Sequence, residues 1–256
     1  MRVAIAGKGG AGKTTIAATL ARLAARRGRR VVVVDADSNP NLGVALGMGR
    51  GPAAAVPAMP STLVSRRLGG PALTEPVDDV LEHHAAPGPD GVQVLLMGMP
   101  AHADEGCLCS AHATVSALLG DLGTRAELLT IVDMEASPEH LSRGTARHAD
   151  VLLLVTEPYF RSLEAVRRLA DLAEELPIPR VAVVANKVRR PSDGEAIAEF
   201  CDRHGLELLA EVPWSDDVVD ADVRGEPLLD EVSSQEVVLA IEALEQRLCG
   251  SAKEVG

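Results

Sequence analysis

Aromatic residues are nearly missing: Tyr159, Phe160, Phe200 and Trp214 are the only ones among 256. The core must then be aliphatic, and a 46% hydrophobic content rich in Ala, Val and Leu supplies it. Basic charge is in deficit, 25 Lys and Arg against 37 Asp and Glu, a net −12. That deficit excludes a general affinity for nucleic acid or anionic membrane, although not a local basic patch. No apolar run approaches the ~20 residues that span a bilayer. The first residues lack the charged, apolar and cleavage regions of a secretory signal, so a cytoplasmic location is expected. Four cysteines, Cys107, Cys109, Cys201 and Cys249, are no disulfide framework in a reducing compartment. Lysine is scarcest of the charged residues: Lys8, Lys13, Lys187 and Lys253 against 21 Arg. Lys253 lies in a polar tail; the other three raise the question of why a compact point charge is wanted instead of a planar fork.

What is present is a regular alternation. Strands are expected at 2–6, 30–35, 92–98, 127–133, 150–156, 179–185 and 207–212. Helices are expected between them at 13–27, 75–84, 111–121, 138–147, 161–175, 192–204 and 233–248, with Pro138 suited to a first turn. Continuous runs such as Val31–Val34 and Val151–Val155 mark strands buried on both faces. The pattern predicts a single α/β domain with a doubly wound, mostly parallel sheet and helices on both faces. Residues 49–92 stand apart, dense in Gly and Pro, and 49–74 is expected to be a long irregular loop with room for one short helix.

Directly after the first strand comes Gly7-Lys8-Gly9-Gly10-Ala11-Gly12-Lys13-Thr14, then Thr15 and an Ala-rich helix. It satisfies G-x-x-x-x-G-K-[ST] in strand–loop–helix context. Glycines let backbone N–H groups wrap phosphates, and the helix N-terminus adds its positive end. Lys13 reaches the β- and γ-phosphates while the Thr14 hydroxyl takes Mg²⁺. The second strand ends in Asp35-Ala-Asp37-Ser38-Asn39-Pro40-Asn41-Leu42, where a carboxylate beside the phosphate loop can orient water or bind Mg²⁺ through water. Asp35 is the strand-end residue with a structural role. An apolar strand 128–132 ends in Asp133-Met134-Glu135-Ala136, a Walker B pattern in which Asp133 holds Mg²⁺ directly or through water. Nearby Glu139-His140 has packing or solvation as its first explanation. Asn186 can both donate to and accept from an adenine edge, and Pro213 and Trp214 offer flat apolar surface. A guanine signature would place Asp two residues after Lys187, where Arg189 stands, so ATP is favoured over GTP. Finally, Gly106-Cys107-Leu108-Cys109 would, if extended, project two sulfurs to one side. Soft thiolates suit Zn²⁺, Ni²⁺, Cu(I) or iron–sulfur centres, but two ligands are too few for a closed tetrahedral site.

The string K-G-G-A-G-K-T, Lys8 to Thr14, is the deviant phosphate loop, and by it the chain resembles the MinD/ParA/nitrogenase-iron-protein class of dimerising ATPases. The resemblance implies that Lys8 crosses a face-to-face homodimer to the partner's nucleotide. It implies that Asp37 orients the attacking water, that Asn41 contacts the metal's water shell, and that Asn186 and Lys187 read the base beside a wall at Pro213 and Trp214. A two-fold axis near the C-x-C loop would bring four sulfurs together. More narrowly, the chain is similar to the CooC-type ATPases that assist nickel insertion into carbon monoxide dehydrogenase. That similarity rests on the deviant loop, D-A-D-x-N-x-N-L at Asp35–Leu42, G-C-x-C at Gly106–Cys109, D-M-E-A at Asp133–Ala136, E-H-L-x-R-G-T at Glu139–Thr145 and V-T-E-P-x-x-R-S at Val155–Ser162. It implies a homodimeric metallochaperone with ATP/ADP, Mg²⁺ and Zn²⁺ or Ni²⁺, a client metalloenzyme, and neither nucleic-acid nor membrane partners. Ser38 stands where the family has Pro, and Ser137-Pro138 where it has Gly. An iron–sulfur electron donor like nitrogenase iron protein is the alternative, but no Cys lies between Cys109 and Cys201 to supply that family's second ligand. A ParA- or MinD-type spatial organiser is the other, disfavoured by net charge and by a C-terminal helix carrying Glu236, Glu242 and Glu245.

Overall fold

The computed structural model describes residues 1–67, 70–98, 109–230 and 235–250. Cys107 and Lys253 lie outside the described residues, as does Gly106. The first half runs β1 (Arg2–Gly7), α1 (Lys13–Arg26), β2 (Arg30–Ala36), α2 (Leu42–Leu46), α3 (Arg50–Ala54), β3 (Val64–Arg67), β4 (Gly70–Leu73), α4 (Val77–His84), β5 (Ala86–Pro87), β6 (Gln93–Leu96) and α5 (Cys109–Leu122). The second half runs β7 (Leu128–Met134), α6 (Glu139–Ser142), β8 (Val151–Thr156), α7 (Phe160–Glu174), β9 (Arg180–Val188), α8 (Pro191–His204), β10 (Glu207–Pro213), α9 (Asp216–Arg224) and α10 (Gln235–Gly250).

Eight strands form one sheet in the order β10-β9-β8-β1-β7-β2-β6-β5, parallel throughout except for β5 against β6. Alternate residues of each strand feed two aliphatic layers. Val3, Ile5, Val31, Val33, Ile131 and Leu153 pack with Ile16 and Leu20 of α1 and Ile241 and Leu244 of α10. Ala4, Val32, Val34, Val132, Leu152 and Leu154 pack with Leu118 of α5, Val166 of α7 and Ile197 of α8. Both faces are covered, which is why the strands read as unbroken apolar runs. No helix among the described residues is long and apolar enough to cross a membrane.

Three expectations are corrected. The stretch 49–74 is not all loop: besides the short helix α3 it folds β3 and β4 into an antiparallel hairpin, Val64 opposite Leu73. The helix expected over 138–147 stops at Ser142, because the left-handed Gly144 (φ 68°) ends it. The helix expected from 111 begins at Cys109, so Cys109 heads a helix instead of belonging to an extended segment.

Candidate functional site

β1 is flanked by β7 on one side and β8 on the other, and the chain leaves it in opposite directions to build the two halves of the sheet. The crevice beyond the carboxyl end of such a strand is where doubly wound sheets bind ligands. The loop 7–12 fills that position and delivers the chain into α1. Two of its glycines are dictated by geometry. Gly7 (φ 146°) lies against the Val155 carbonyl, and Gly12 (φ 94°) against the Asn186 side chain, so a Cβ at either would collide. The loop closes on itself through Ala11 N–H to the Lys8 carbonyl at 3.1 Å. No acidic residue occupies the first turn of α1, which leaves its positive end for an anion.

Lys13 is buried in this cradle, 3.5 Å from the Lys8 carbonyl, and burial lowers its pKa against the pull of Asp133, Asp37 and Glu135. β7 lies between β1 and β2 and sets Asp133 in register with Asp35. Asp133 accepts a hydrogen bond from the Thr14 side chain, while its Oδ1 is buried with no hydrogen-bond partner among the described residues. A hard oxygen left open beside a hydroxyl fits Mg²⁺, with Thr14 and Asp133 to hold it. Burial is the main cause that pushes Asp133 up to about 7 and Asp35 up to about 6. The charge of Asp35 adds to the rise at Asp133.

Asp35 is otherwise engaged: Oδ2 accepts the Leu42 N–H at 2.8 Å and Oδ1 the Asp37 N–H at 3.3 Å. It thus pins both ends of the 37–41 loop, the structural role expected of it. Asp37 is half-buried near Lys13, its Oδ1 accepting the Asn39 N–H at 2.8 Å. Asn41 is exposed and its amide donates to the Asn39 carbonyl at 2.7 Å.

These shifts set a pH dependence. The folded, ligand-free protein holds protons on Asp133 and Asp35 that the unfolded chain has already lost above its ordinary carboxylate range near ~4. Stability from this pair therefore falls as pH rises from about 4 to 7. Cation binding must displace the Asp133 proton, so Mg²⁺–nucleotide affinity should weaken up to ~10-fold per unit as pH drops below about 7. Calorimetric titration in buffers of different ionisation enthalpy checks this; no proton release at pH 6 would show Asp133 already ionised.

Beside the loop, Gly12, Thr15, Asn186, Lys187, Pro213 and Trp214 line a pocket closed below by Val218 of α9 and Ile241 of α10. Asn186 spends its amide N–H on the Ala11 carbonyl at 2.7 Å, leaving its oxygen for a ligand. Lys187, at φ 60°, donates to the Gly10 carbonyl and pairs with Glu157 at 2.9 Å. Two features went unread in the sequence. Arg189 stacks on Trp214 at 3.7 Å and makes one wall a cation–π pair, and Glu157 links Lys187 to the Tyr159 hydroxyl at 2.8 Å. The V-T-E-P string holding Glu157 was the available signal. Lys8 turns out of the loop and sits over the Tyr159 ring at 5.5 Å.

The carboxyl end of β6 leads towards α5, so Cys109 heads α5 at the same edge of the sheet as the phosphate loop. Cys109 is disulfide-bonded, where free thiols were expected. A thiolate pair with Cys107 therefore requires reduction. The described residues contain no group of three or more His, Cys, Asp or Glu placed to hold a metal. His140 is buried edge-on to His112, ring centroids 4.5 Å apart, and burial drives its pKa down to about 3. It is neutral at any ordinary pH.

With this geometry in place, the comparisons are direct. The CobQ/CobB/MinD/ParA nucleotide binding domain matches residues 3–228. The carbon monoxide dehydrogenase accessory protein CooC of Rhodospirillum rubrum is 36% identical over 237 residues, 88% of each chain. An uncharacterised ATP-binding protein of Methanocaldococcus jannaschii is 34% identical over 248 residues, 93% of this chain and 95% of its own. Among solved structures, MinD of Pyrococcus horikoshii with Mg-ADP superposes at a TM-score of 0.72 and 20% identity, covering 98% of both chains.

Proposed function

The chain belongs to the CobQ/CobB/MinD/ParA family of nucleotide-binding domains and is an ATPase of that class, and from this premise we propose that it is a metallochaperone coupling an ATP-dependent homodimer to a shared thiolate metal site. The observation that carries the proposal is the position of Cys109, heading α5 at the nucleotide edge of the sheet in a chain 36% identical to a carbon monoxide dehydrogenase accessory protein. Cys107 and Cys109 of two chains supply four sulfurs to one Zn²⁺ or Ni²⁺ cargo ion, delivered to a client metalloenzyme of the carbon monoxide dehydrogenase kind. In the nucleotide site Lys13 and the loop N–H groups hold phosphates, Thr14 and Asp133 hold Mg²⁺, and Asn41 contacts its water shell. Asp37 orients the attacking water, and the Asn186–Trp214 pocket takes adenine. The test is metal analysis of reduced protein with and without ATP, alongside its mass in solution. Metal content and oligomeric state that ignore ATP would remove the proposal.

Asp37 has its own test. It stands near Lys13 without joining the Thr14–Asp133 pair. Asp37→Asn should bind Mg-ATP like the unaltered protein and turn over ~10²–10⁴-fold more slowly, the range typical of a positioned acid–base group. Phosphate release in steady state measures it, and unchanged turnover would take Asp37 out of the reaction.

A further inference from the structure

The E-H-L-x-R-G-T segment, Glu139–Thr145, has no part in the nucleotide chemistry described above, yet it is built as a rigid block. Arg143 N–H donates to the Glu139 carbonyl, Gly144 N–H to the Leu141 carbonyl and Thr145 N–H to the His140 carbonyl, each at 2.8 Å. The Arg143 guanidinium also pairs with Glu139 at 3.1 Å. This block begins six residues after Asp133, the carboxylate bonded to Thr14 near the end of β7. Its other side meets α5 at three points. Arg143 Nη1 donates to Cys109 Sγ at 2.9 Å, Thr145 Oγ1 bonds His112 Nδ1 at 3.0 Å, and Ser116 Oγ donates to the Gly144 carbonyl at 3.1 Å.

Positions 109, 112 and 116 are spaced three and four apart, so they form one stripe along two turns of α5. The inner two ties are buried, at His112, Ser116 and Thr145, and His140 backs them edge-on. Breaking a buried hydrogen bond leaves a desolvated polar group without a partner, which is costly. A displacement of the block is therefore followed by α5 in preference to slipping past it. Both imidazoles have depressed pKa values from burial, so the ties keep one protonation pattern.

We propose that Arg143, supported by the Thr145–His112 and Gly144–Ser116 bonds, is a positioning residue that makes Cys109 follow nucleotide-dependent movement of the segment leaving β7 after Asp133. The inference rests on the metallochaperone reading and adds to it the route by which ATP is felt at the sulfur. Arg143 and Thr145 touch neither the phosphate loop nor the base pocket, so the quantity they control is the linkage between the two ligands.

The experiment is a competitive Ni²⁺ titration of the reduced full chain, with and without a non-hydrolysable ATP analogue, for the unaltered protein, Arg143→Gln and Thr145→Val. Arg143 is exposed, and Val preserves the shape of the buried Thr145, so the pair guards against misfolding of either one. Melting temperatures are read in parallel. The unaltered protein should change its Ni²⁺ affinity ~5–150-fold with nucleotide, the ordinary range for coupled sites. In both variants that ratio should fall towards one, whatever happens to each affinity separately, and Arg143→Lys should restore part of it. Ratios unchanged in the variants while the unaltered protein couples would overturn this inference alone. A ratio of one in the unaltered protein would overturn it together with the function it rests on.

Discussion

Lys8→Ala and Lys8→Arg are expected to bind ATP as monomers, to fail to form the ATP-dependent dimer, and to lose ~10³-fold or more in turnover. The two lysines of the loop are disposed differently. Lys13 is buried within the loop of its own chain, against the Lys8 carbonyl. Lys8 is half-buried and rests over the half-exposed Tyr159 ring. A cation–π contact at an exposed site is worth only about 0.5–1 kcal/mol, so it parks the ammonium without holding it. Phosphoryl transfer spreads negative charge over the γ-phosphate oxygens, and a cation delivered from a second subunit to that charge is worth about 10³–10⁵ in rate. Arg brings a charge of the same sign but a wider planar head, which a tight phosphate site shared by two subunits does not accommodate. Light scattering with ATP, against nucleotide affinity measured separately, distinguishes the steps. Normal dimers in both variants would show that Lys8 acts within its own chain.

The parts of this site legible in the sequence are those whose local chemistry permits one arrangement. A glycine-rich loop between an apolar strand and an Ala-rich helix has few other folds, and Gly7 and Gly12 sit where no side chain fits. Unbroken Val and Leu runs gave the sheet, since strands covered on both faces need no alternation. What escaped depends on contacts between distant segments. The β3–β4 hairpin has two four-residue strands and a Pro71 inside one of them, a pattern that reads as loop. α9 carries Asp216, Asp217, Asp220 and Asp222 with Val219 and Val223 exposed, so no buried face advertises it. The Arg189–Trp214 stack joins residues 25 positions apart, from the ends of β9 and β10, and only the sheet brings them together. The 109-112-116 stripe was hidden for a related reason: its partners lie across the chain in 143–145, and the first of them was placed in an extended loop.

The last expectation concerns the sulfurs. Reduced protein should take up one tightly held Zn²⁺ or Ni²⁺ per two chains, and Cys107→Ala or Cys109→Ala should each abolish it. A closed tetrahedral site wants four ligands at distances fixed to a few tenths of an ångström. Among the described residues one chain offers no cluster of three or more, so within them no closed metal site is complete in one subunit. In the proposed two-fold dimer, removing either cysteine deletes two of the four sulfurs at once, because the axis repeats the change. That doubling makes the effect of a single substitution all-or-none instead of graded. Cys109 heads α5, apart from the phosphate loop, and Cys107 is outside that loop in the sequence, so ATP turnover without metal should persist in both variants. The disulfide at Cys109 makes reductant obligatory, and oxidised protein should bind no metal until it is added. Metal analysis after gel filtration, paired with mass in solution, reads stoichiometry and assembly together. One ion per monomer that survives loss of both cysteines would place the site elsewhere and leave the ATPase without its proposed cargo.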